Sequence, residues 1–318
     1  MEKEGMTTPE EVIKLFVSRG DDDLRLDIFL TEQTEYTRSY IQKLIKQSRI
    51  TIDDVPVKKA GQTIRSGSVI SLSIPEAKEL SVEAEKMDLD IVYEDEDVIL
   101  INKPKGLVVH PAPGHESHTL VNGLLYHCKN GLSGINGVMR PGIVHRIDRD
   151  TTGIIVACKN DMAHQSLAKQ FADHSITRRY QAIVYNNFKE DDGIIDKPIA
   201  RDPKDRKRMA VVSDDKGRRA VTHYHVIDHL NNRYNHVECE LETGRTHQIR
   251  VHMAYIRHPL LGDEVYGPKP EQAFSSLEGQ VLHAGILGFV HPRTNQYMEF
   301  KSELPQYFVS LLKRLKNN

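Results

Sequence analysis

The residues best suited to chemistry stand together at 145–153, HRIDRDTTG. Asp148 and Asp150 sit among Arg146, Arg149 and His145, between the apolar runs GIV and IIVAC. Three arrangements fit such a stretch: a metal loop, a catalytic carboxylate held by arginines, or a polar turn. Asp148-x-Asp150-x-Thr152-Gly153 mimics the start of a calcium loop, but that loop needs a bidentate glutamate at its twelfth position, where this chain has Lys159. Arg146 and Arg149 would also put positive charge beside the ion. Paired acid–base carboxylates need about 5 Å or more between them to flank a sugar. Near neighbours on one loop are poorly placed for that. One aspartate acting alone remains: a neighbouring arginine favours its charged form, and it is then a nucleophile or base. In isolation, a turn aspartate paired with a surface arginine accounts for the same residues.

Other candidates are weaker. His110, His115 and His118 of HPAPGHESH lack helical spacing and a partner glutamate, which reads as a polar loop rather than a metal site. His247 and His252 are five apart, the wrong interval for two ligands on one helical face. Gly-rich phosphate loops are absent, so nucleotide hydrolysis has no support. No metal site is expected from these residues. Cys128, Cys158 and Cys239 are scattered without a C-x-x-C pair, which argues against a disulfide framework and fits a reducing, cytoplasmic setting.

The elements that must position these groups fall into two parts, as suits 318 residues. Residues 1–22 form a leader with a short helix signal, TPEEVIKLF: Thr8 caps, Pro9 suits the first turn, and two glutamates favour the dipole. Its start has acids and no apolar h-region, so it is not a secretory signal. Residues 23–76 contain a helix over 37–48, with Tyr40, Ile41, Leu44 and Ile45 on one arc and Arg38, Lys43, Lys46 and Arg49 on another. Short strands follow. Residues 77–89 are acidic and aperiodic, which suits a linker. Residues 90–318 carry strand-like runs (DVILINK, GIVHRI, GIIVACK, RRYQAIVY, VTHYHVID, NHVECELET) and a helix from Asp161, capped at Asn160 or Asp161, with Leu167, Ala168, Phe171 and Ala172 on one face. The expected class is α+β around a large, mainly antiparallel sheet. No apolar run is long enough to span a membrane.

The formal net charge of −2 hides an uneven distribution. Residues 24–76 hold 8 Lys+Arg against 6 Asp+Glu, and residues 101–318 hold 30 against 23. The acid is concentrated in the leader and linker, so both folded parts are locally basic and permit an RNA or DNA partner.

The order LRLDIFL…TRSYIQKLIKQSRITIDDVPVKKAGQTIRSGSVISL resembles the S4 RNA-binding domain, a small α/β module that offers basic residues to structured RNA. It departs at IDDVP, where that family usually has an Asn-Gly-type turn. Five further blocks, ILINKPKGLVVHP, GIVHRIDRDTTG, TRRYQAIV, LETGRTHQIRVHMAYIRHPLLGD and LHAGILGFVHP, closely resemble in order the RluA/RluD family of RNA pseudouridine synthases. Small departures are Ile147, Gly285 and Gly288. The resemblance implies a cofactor-free isomerase that detaches uracil from C1′, rotates it and rejoins it through C5, acting on RNA, most of all large-subunit (23S) ribosomal RNA or a ribosomal particle. A monomer is expected.

The resemblance also assigns roles. Asp148 matches the catalytic aspartate, as nucleophile at C1′ or base at C2′, and Arg250 matches its partner, with Arg245 a second member. Tyr180 matches the tyrosine beneath the uracil, and Arg146 the arginine that fills the space the base vacates. Arg149 is expected at the RNA. The run from Arg201 to Arg219, with Arg206, Lys207 and Arg208, reads as a phosphate-contacting hairpin, and Arg38, Lys43 and Lys46 as the S4-like contact face. The competing expectation is a non-catalytic RNA-binding or ribosome-assembly protein that kept the fold, which would have no need of Asp148, Tyr180 and Arg250 together.

Overall fold

The chain divides into two units, Met1–Glu79 and Leu80–Asn318. The computed structural model describes residues 11–34, 36, 38–74, 82–112, 114–129, 131–135, 140–205, 208–269, 271–275 and 277–317. In the first unit β1 (Glu11–Phe16), α1 (Leu26–Gln33), α2 (Arg38–Lys46), β2 (Ile50–Ile52), β3 (Val55–Pro56) and β4 (Val69–Ile74) follow one another. The sheet has the order β1-β4-β2-β3, and Leu26, Phe29 and Leu30 of α1 and Ile41, Leu44 and Ile45 of α2 pack on Ile50, Ile70 and Leu72.

Over Glu11–Phe16 the helix expected in the leader is replaced by strand β1, which pairs antiparallel with β4 from Glu11 opposite Ile74 to Phe16 opposite Val69, while Thr8, Pro9 and Glu10 lie outside the described residues. VIKLF alternates at period two: Ile13 and Leu15 face the core, while Val12 and Phe16 are exposed. Pairing with an edge that needs a partner outweighs the local capping signal. At IDDVP, Asp53 and Asp54 both take left-handed φ, 49° and 63°. That is the conformation a two-residue hairpin turn requires, so two aspartates make the turn that Asn-Gly usually makes.

The second unit runs through β5 (Ile91–Glu94), β6 (Val98–Lys103), α3 (Leu120–Cys128), β7 (Thr152–Cys158), α4 (Asp161–Ala172), β8 (Thr177–Tyr185), β9 (Asp192–Asp196), β10 (Ile199–Arg201), β11 (Met209–Val211), β12 (Val221–Leu230), β13 (Tyr234–Leu241), α5 (Gln248–Tyr255), β14 (Leu282–Val290), β15 (Tyr297–Lys301) and α6 (Gln306–Lys316). Its nine-stranded sheet has the order β5-β6-β7-β14-β8-β13-β12-β9, with β15 beside β14. Among these pairs only β7–β14 is parallel, as the mainly antiparallel expectation requires. Strand β14 separates β7 from β8, two strands whose starts carry the charged stretch and the tyrosine motif.

Both faces of the sheet are covered. Ile99 and Ile101 of β6 pack with Leu120, Val121 and Leu124 of α3, while the alternate Val98 and Leu100 pack with Ala163 and Leu167 of α4. On the other half, Ala182 and Val184 meet Ile249 and Met253 of α5, and Ile183 and Tyr185 meet Phe308, Leu311 and Leu315 of α6. Each such aliphatic burial contributes about 1.5–3 kcal/mol. Helix α4 starts where expected: Asn160 accepts the Ala163 amide at 2.9 Å. Leu167 is buried on the inward face as expected, with Phe171 packed against the same core, while Ala163 and His164 join that face and Ala172 is exposed. Residues 82–90 have no regular structure yet are tied to α3. Asn122 donates to the Glu83 carbonyl at 2.7 Å, and the Glu85 amide donates to the Asn122 carbonyl at 3.0 Å.

Candidate active site

GIVHRI, expected as a strand, makes a single bridge, Ile143 to Ala157, and is otherwise irregular. The cause lies in His145, whose Nε2 accepts the Val156 amide at 3.0 Å where a strand would offer a carbonyl. The loop that follows carries Asp148 and is closed by a turn, Thr151 N–H to Asp148 C=O at 3.1 Å. Gly153 ends it at φ 108°, where a Cβ would stand 2.2 Å from the Ala284 carbonyl of β14. Only glycine admits that approach of the parallel strands. Beneath the loop Lys103 is fully buried, and its Nζ donates to the carbonyls of Pro104, Leu107 and Arg149 at 2.8, 2.9 and 2.8 Å. Burial pushes the Lys103 ammonium down to about 7, against the pull of Asp150 and Asp148.

Asp148 meets Arg250 of α5, whose Nη1 donates to Oδ2 at 2.8 Å. The same guanidinium forks onto buried Asp263, Nε to Oδ2 at 2.7 Å and Nη2 to Oδ1 at 2.9 Å. Asp263 Oδ1 also accepts the amides of Val265 and Tyr266. Burial alone would lower the Arg250 pKa, but the bonds and charges of Asp263 and Asp148 outweigh it and the net shift is upward. Arg250 is thus a fixed cation between a wholly buried carboxylate and a cleft-facing one.

His247, left-handed at φ 55°, opens α5 and sets Nε2 3.8 Å from Asp148 Oδ1. Tyr266 Oη accepts the Met209 amide at 2.8 Å and lies 2.9 Å from His247 Nδ1. The phenol can donate to Nδ1, an arrangement in which the imidazole proton sits on Nε2, turned toward the aspartate. Burial lowers the His247 pKa more than Asp148 raises it. The turn is locked by Gln248, which accepts from Thr243 and the Arg245 amide and donates to the Val221 carbonyl.

A cleft of about 370 Å³ opens over Asp148, lined by Arg146, Ile147, Tyr180, Arg245, His247 and Arg250 among others. Tyr180, on β8 between Cys239 of β13 and Ala284 of β14, forms part of its wall, and burial raises its pKa. Arg146 Nη1 donates to His110 Nε2 at 3.1 Å, and burial pushes His110 down to about 4, so the ring accepts as a neutral base. The cleft has the makings of a nucleophile or base with a fixed counter-charge, an aromatic wall and a second cation, Arg146, in its lining.

The structure therefore brings together Asp148, Tyr180, Arg250, Arg146 and Arg245. It turns Arg149 elsewhere: its Nε and Nη2 fork onto Asp150 at 2.9 and 3.1 Å, beside a different cleft with Gly106 and Gly279. Arg208 lies beyond Tyr266, 5.3 Å from its ring centroid, while Arg206 and Lys207 lie outside the described residues. In the first unit Arg38 is bound to buried Asp27, Nε at 2.9 Å and Nη2 at 2.7 Å, and Lys46 is exposed. The Lys43 side chain lies outside the described residues. Lys103, His110, His247, Asp263 and Tyr266 also stand in or against this site, and the motifs did not mark them as parts of it. A lysine inside the apolar run VILINK was the one signal available, since buried lysine is rare unless paired. Among the described residues one trio offers metal-type ligand atoms within 4.8 Å, Asp95, Asp97 and His291. It stands at the β5–β6 turn, and Arg293 already forks onto Asp97 at 2.7 and 2.6 Å.

A family model described as RNA pseudouridylate synthase matches residues 97–255, and one described as S4 domain matches residues 24–70. The chain belongs to the RNA pseudouridylate synthase family and is an RNA pseudouridine synthase, an isomerase, with an S4 domain ahead of its catalytic unit. It is 50% identical over 307 residues to the uncharacterized RNA pseudouridine synthase YlyB of Bacillus subtilis (strain 168), covering 96% of this chain and 99% of that protein. It is 46% identical over 288 residues to the ribosomal large subunit pseudouridine synthase D of Zymomonas mobilis, covering 89% of this chain and 90% of that protein. Among solved structures, human RNA pseudouridylate synthase domain containing 4 superposes with a TM-score of 0.56 at 26% identity, covering 71% of this chain and 92% of that one. Among the described residues no helix is long and apolar enough to cross a membrane.

Proposed function

We propose that the chain converts specific uridines of large-subunit (23S) ribosomal RNA to pseudouridine in the cytoplasm, with Asp148 as the reacting carboxylate and without a cofactor. The observation that carries this reading is the asymmetry of the Asp148 pair. Arg250 holds Oδ2 at 2.8 Å, while Oδ1 accepts no hydrogen bond among the described residues and is left for the substrate. Attack at C1′ and proton removal at C2′ both begin from that carboxylate, and Arg250 pairs with one of its oxygens and leaves the other open.

The remaining residues fit the same sequence of events. Extruding a base from folded RNA costs a few kcal/mol of stacking. Arg146, a planar cation held in waiting by His110, fills the vacated space and both stacks and hydrogen-bonds there. Tyr180 lies under the uracil with its oxygen toward C5, where a proton finally leaves. The β10–β11 hairpin contacts phosphates, and the S4 module adds affinity for structured RNA. The similarity to a protein named for the large ribosomal subunit supports that target.

The test is a map of pseudouridines in 23S ribosomal RNA from cells with and without this protein. One or more uridines should lose the modification, and wild type but not Asp148→Asn should restore it. An unchanged 23S map beside lost sites in another RNA contradicts the target.

A further inference from the structure

Beside the Asp148 cleft, and sharing Arg146, Tyr180, Leu241 and Arg245 with it, lies a second cleft of about 1070 Å³ of open space. Four arginines and two histidines line it (Arg146, Arg178, Arg218, Arg245, His145 and His174), and its described lining residues include no carboxylate. Arg178 is unusual among them because it is 6% exposed and has no acidic partner among the described residues. Its Nη2 donates to the carbonyls of Leu241 and Glu242 at 3.4 and 3.0 Å, and its Nε has no partner. A buried cation without a counter-charge destabilises a fold, and apolar replacement of buried charges is often neutral or stabilising. Its presence here calls for an anion that arrives from outside.

The neighbours are built to the same end. His145 accepts the Val156 amide at Nε2, so its ring proton sits on Nδ1, which has no partner among the described residues and is a second donor at the cleft wall. Burial and the Arg178 charge push His145 down to about 3, which keeps it a neutral donor. A Cβ at Gly244 would stand 2.5 Å from Arg178 Nη1, so the glycine leaves that nitrogen its place. The Phe171 ring is already flanked by His145, stacked at 4.6 Å, and by Arg178 at 5.7 Å, so it does not offer a platform for a base.

We propose that Arg178 and the His145 Nδ1–H form a site for a backbone phosphate of the RNA beside the target uridine, so that the phosphodiester supplies the missing counter-charge as the uridine enters the neighbouring cleft. The site rests on the RNA substrate of the proposed function. A guanidinium with free N–H groups suits two phosphate oxygens better than a lysine would.

The experiment uses the full chain as Asp148→Asn, so that RNA is bound without turnover, and a 23S ribosomal RNA transcript as probe. Adding Arg178→Met should weaken binding about tenfold and reduce the slope of log affinity against log salt by about one. Its melting temperature should stay close to the parent's, because the two carbonyls left without their donor offset removal of the unpaired charge. Arg178→Lys should keep most of the slope. Unchanged affinity and slope in folded Arg178→Met overturns the proposal, as does a lowered melting temperature with RNA binding intact. If Arg178→Met does not fold, Gly244→Ala, which displaces Nη1 while keeping the charge, should weaken binding, and unaltered binding again overturns it. A parent that fails to bind the 23S transcript contradicts the ribosomal target instead, and the same comparison on total cellular RNA still decides the site.

Discussion

Asp263 does not line the Asp148 cleft, yet it fixes the arginine that does, and Asp263→Asn measures how much that anchor contributes. The carboxylate is fully buried and takes two bonds from Arg250 and two from the amides of Val265 and Tyr266. An asparagine can keep its oxygen at the Oδ1 position, where three donors converge. Its amide nitrogen then faces Arg250 Nε, so one bond is lost, two N–H groups oppose each other and the buried charge pair is broken. Breaking such a pair costs about 3–5 kcal/mol. At about 2–4 °C per kcal/mol for a unit of this size, the catalytic unit should melt roughly 10 °C lower by calorimetry. Below that transition, tritium release from uridine labelled at C5 should be slowed by about 10²-fold, since a misplacement of about 1 Å is enough for that loss. A variant that melts within about 2 °C of wild type and keeps its turnover number would refute the anchoring role.

Other consequences follow from the same geometry. Lys103→Met leaves three buried carbonyls without their donor, at about 1–3 kcal/mol each, partly offset by removing a buried charge. Urea unfolding should show a net loss of about 2–4 kcal/mol, and no loss would mean the loop does not depend on that ammonium. His110, His145 and His236 are pushed down to about 4, 3 and 4 by burial, whereas an unfolded histidine takes its proton near 6.5. The unfolded state binds more protons in that window, so stability is full above about 6.5 and falls as the pH drops toward 4. The melting temperature should be lower at pH 5 than at pH 7.5, and an equal or higher value contradicts the neutral buried rings. Tyr180→Phe keeps the stacking face and loses the oxygen, so turnover should fall about 10²-fold with KM nearly unchanged. Equal turnover would leave Tyr180 as a wall only.

The strands that pair over long runs were legible in the sequence, because burial on both sheet faces writes continuous apolar segments such as VILINK and TGIIVAC. Helix α4 and its Asn160 cap were legible for the equivalent local reason. What escaped was set by partners distant in the chain. Strand β1 looked helical because its pairing with β4 is invisible locally, and GIVHRI looked like a strand because the His145 ring takes the place of a ladder carbonyl. The ordered motifs pointed to Asp148, Tyr180 and Arg250, and the structure places the three in one cleft. Asp263 and Tyr266 act through the far side of Arg250 and His247, and nothing in LLGDEVYG marks them as such. The dense charge of HRIDRDTTG also divides: Asp148 faces Arg250, as the motif match implied, whereas Arg149 and Asp150 pair with each other.

Asp148 is proposed as the reacting carboxylate, with the groups around it binding the RNA. Single-turnover tritium release from uridine-labelled 23S ribosomal RNA, run beside a binding measurement on the same preparations, tests it most directly. Asp148→Asn should bind the RNA within about threefold of wild type, since it removes one charge that does not attract a polyanion, and should release no tritium above background. Release at a wild-type rate from a folded Asp148→Asn protein would contradict the account.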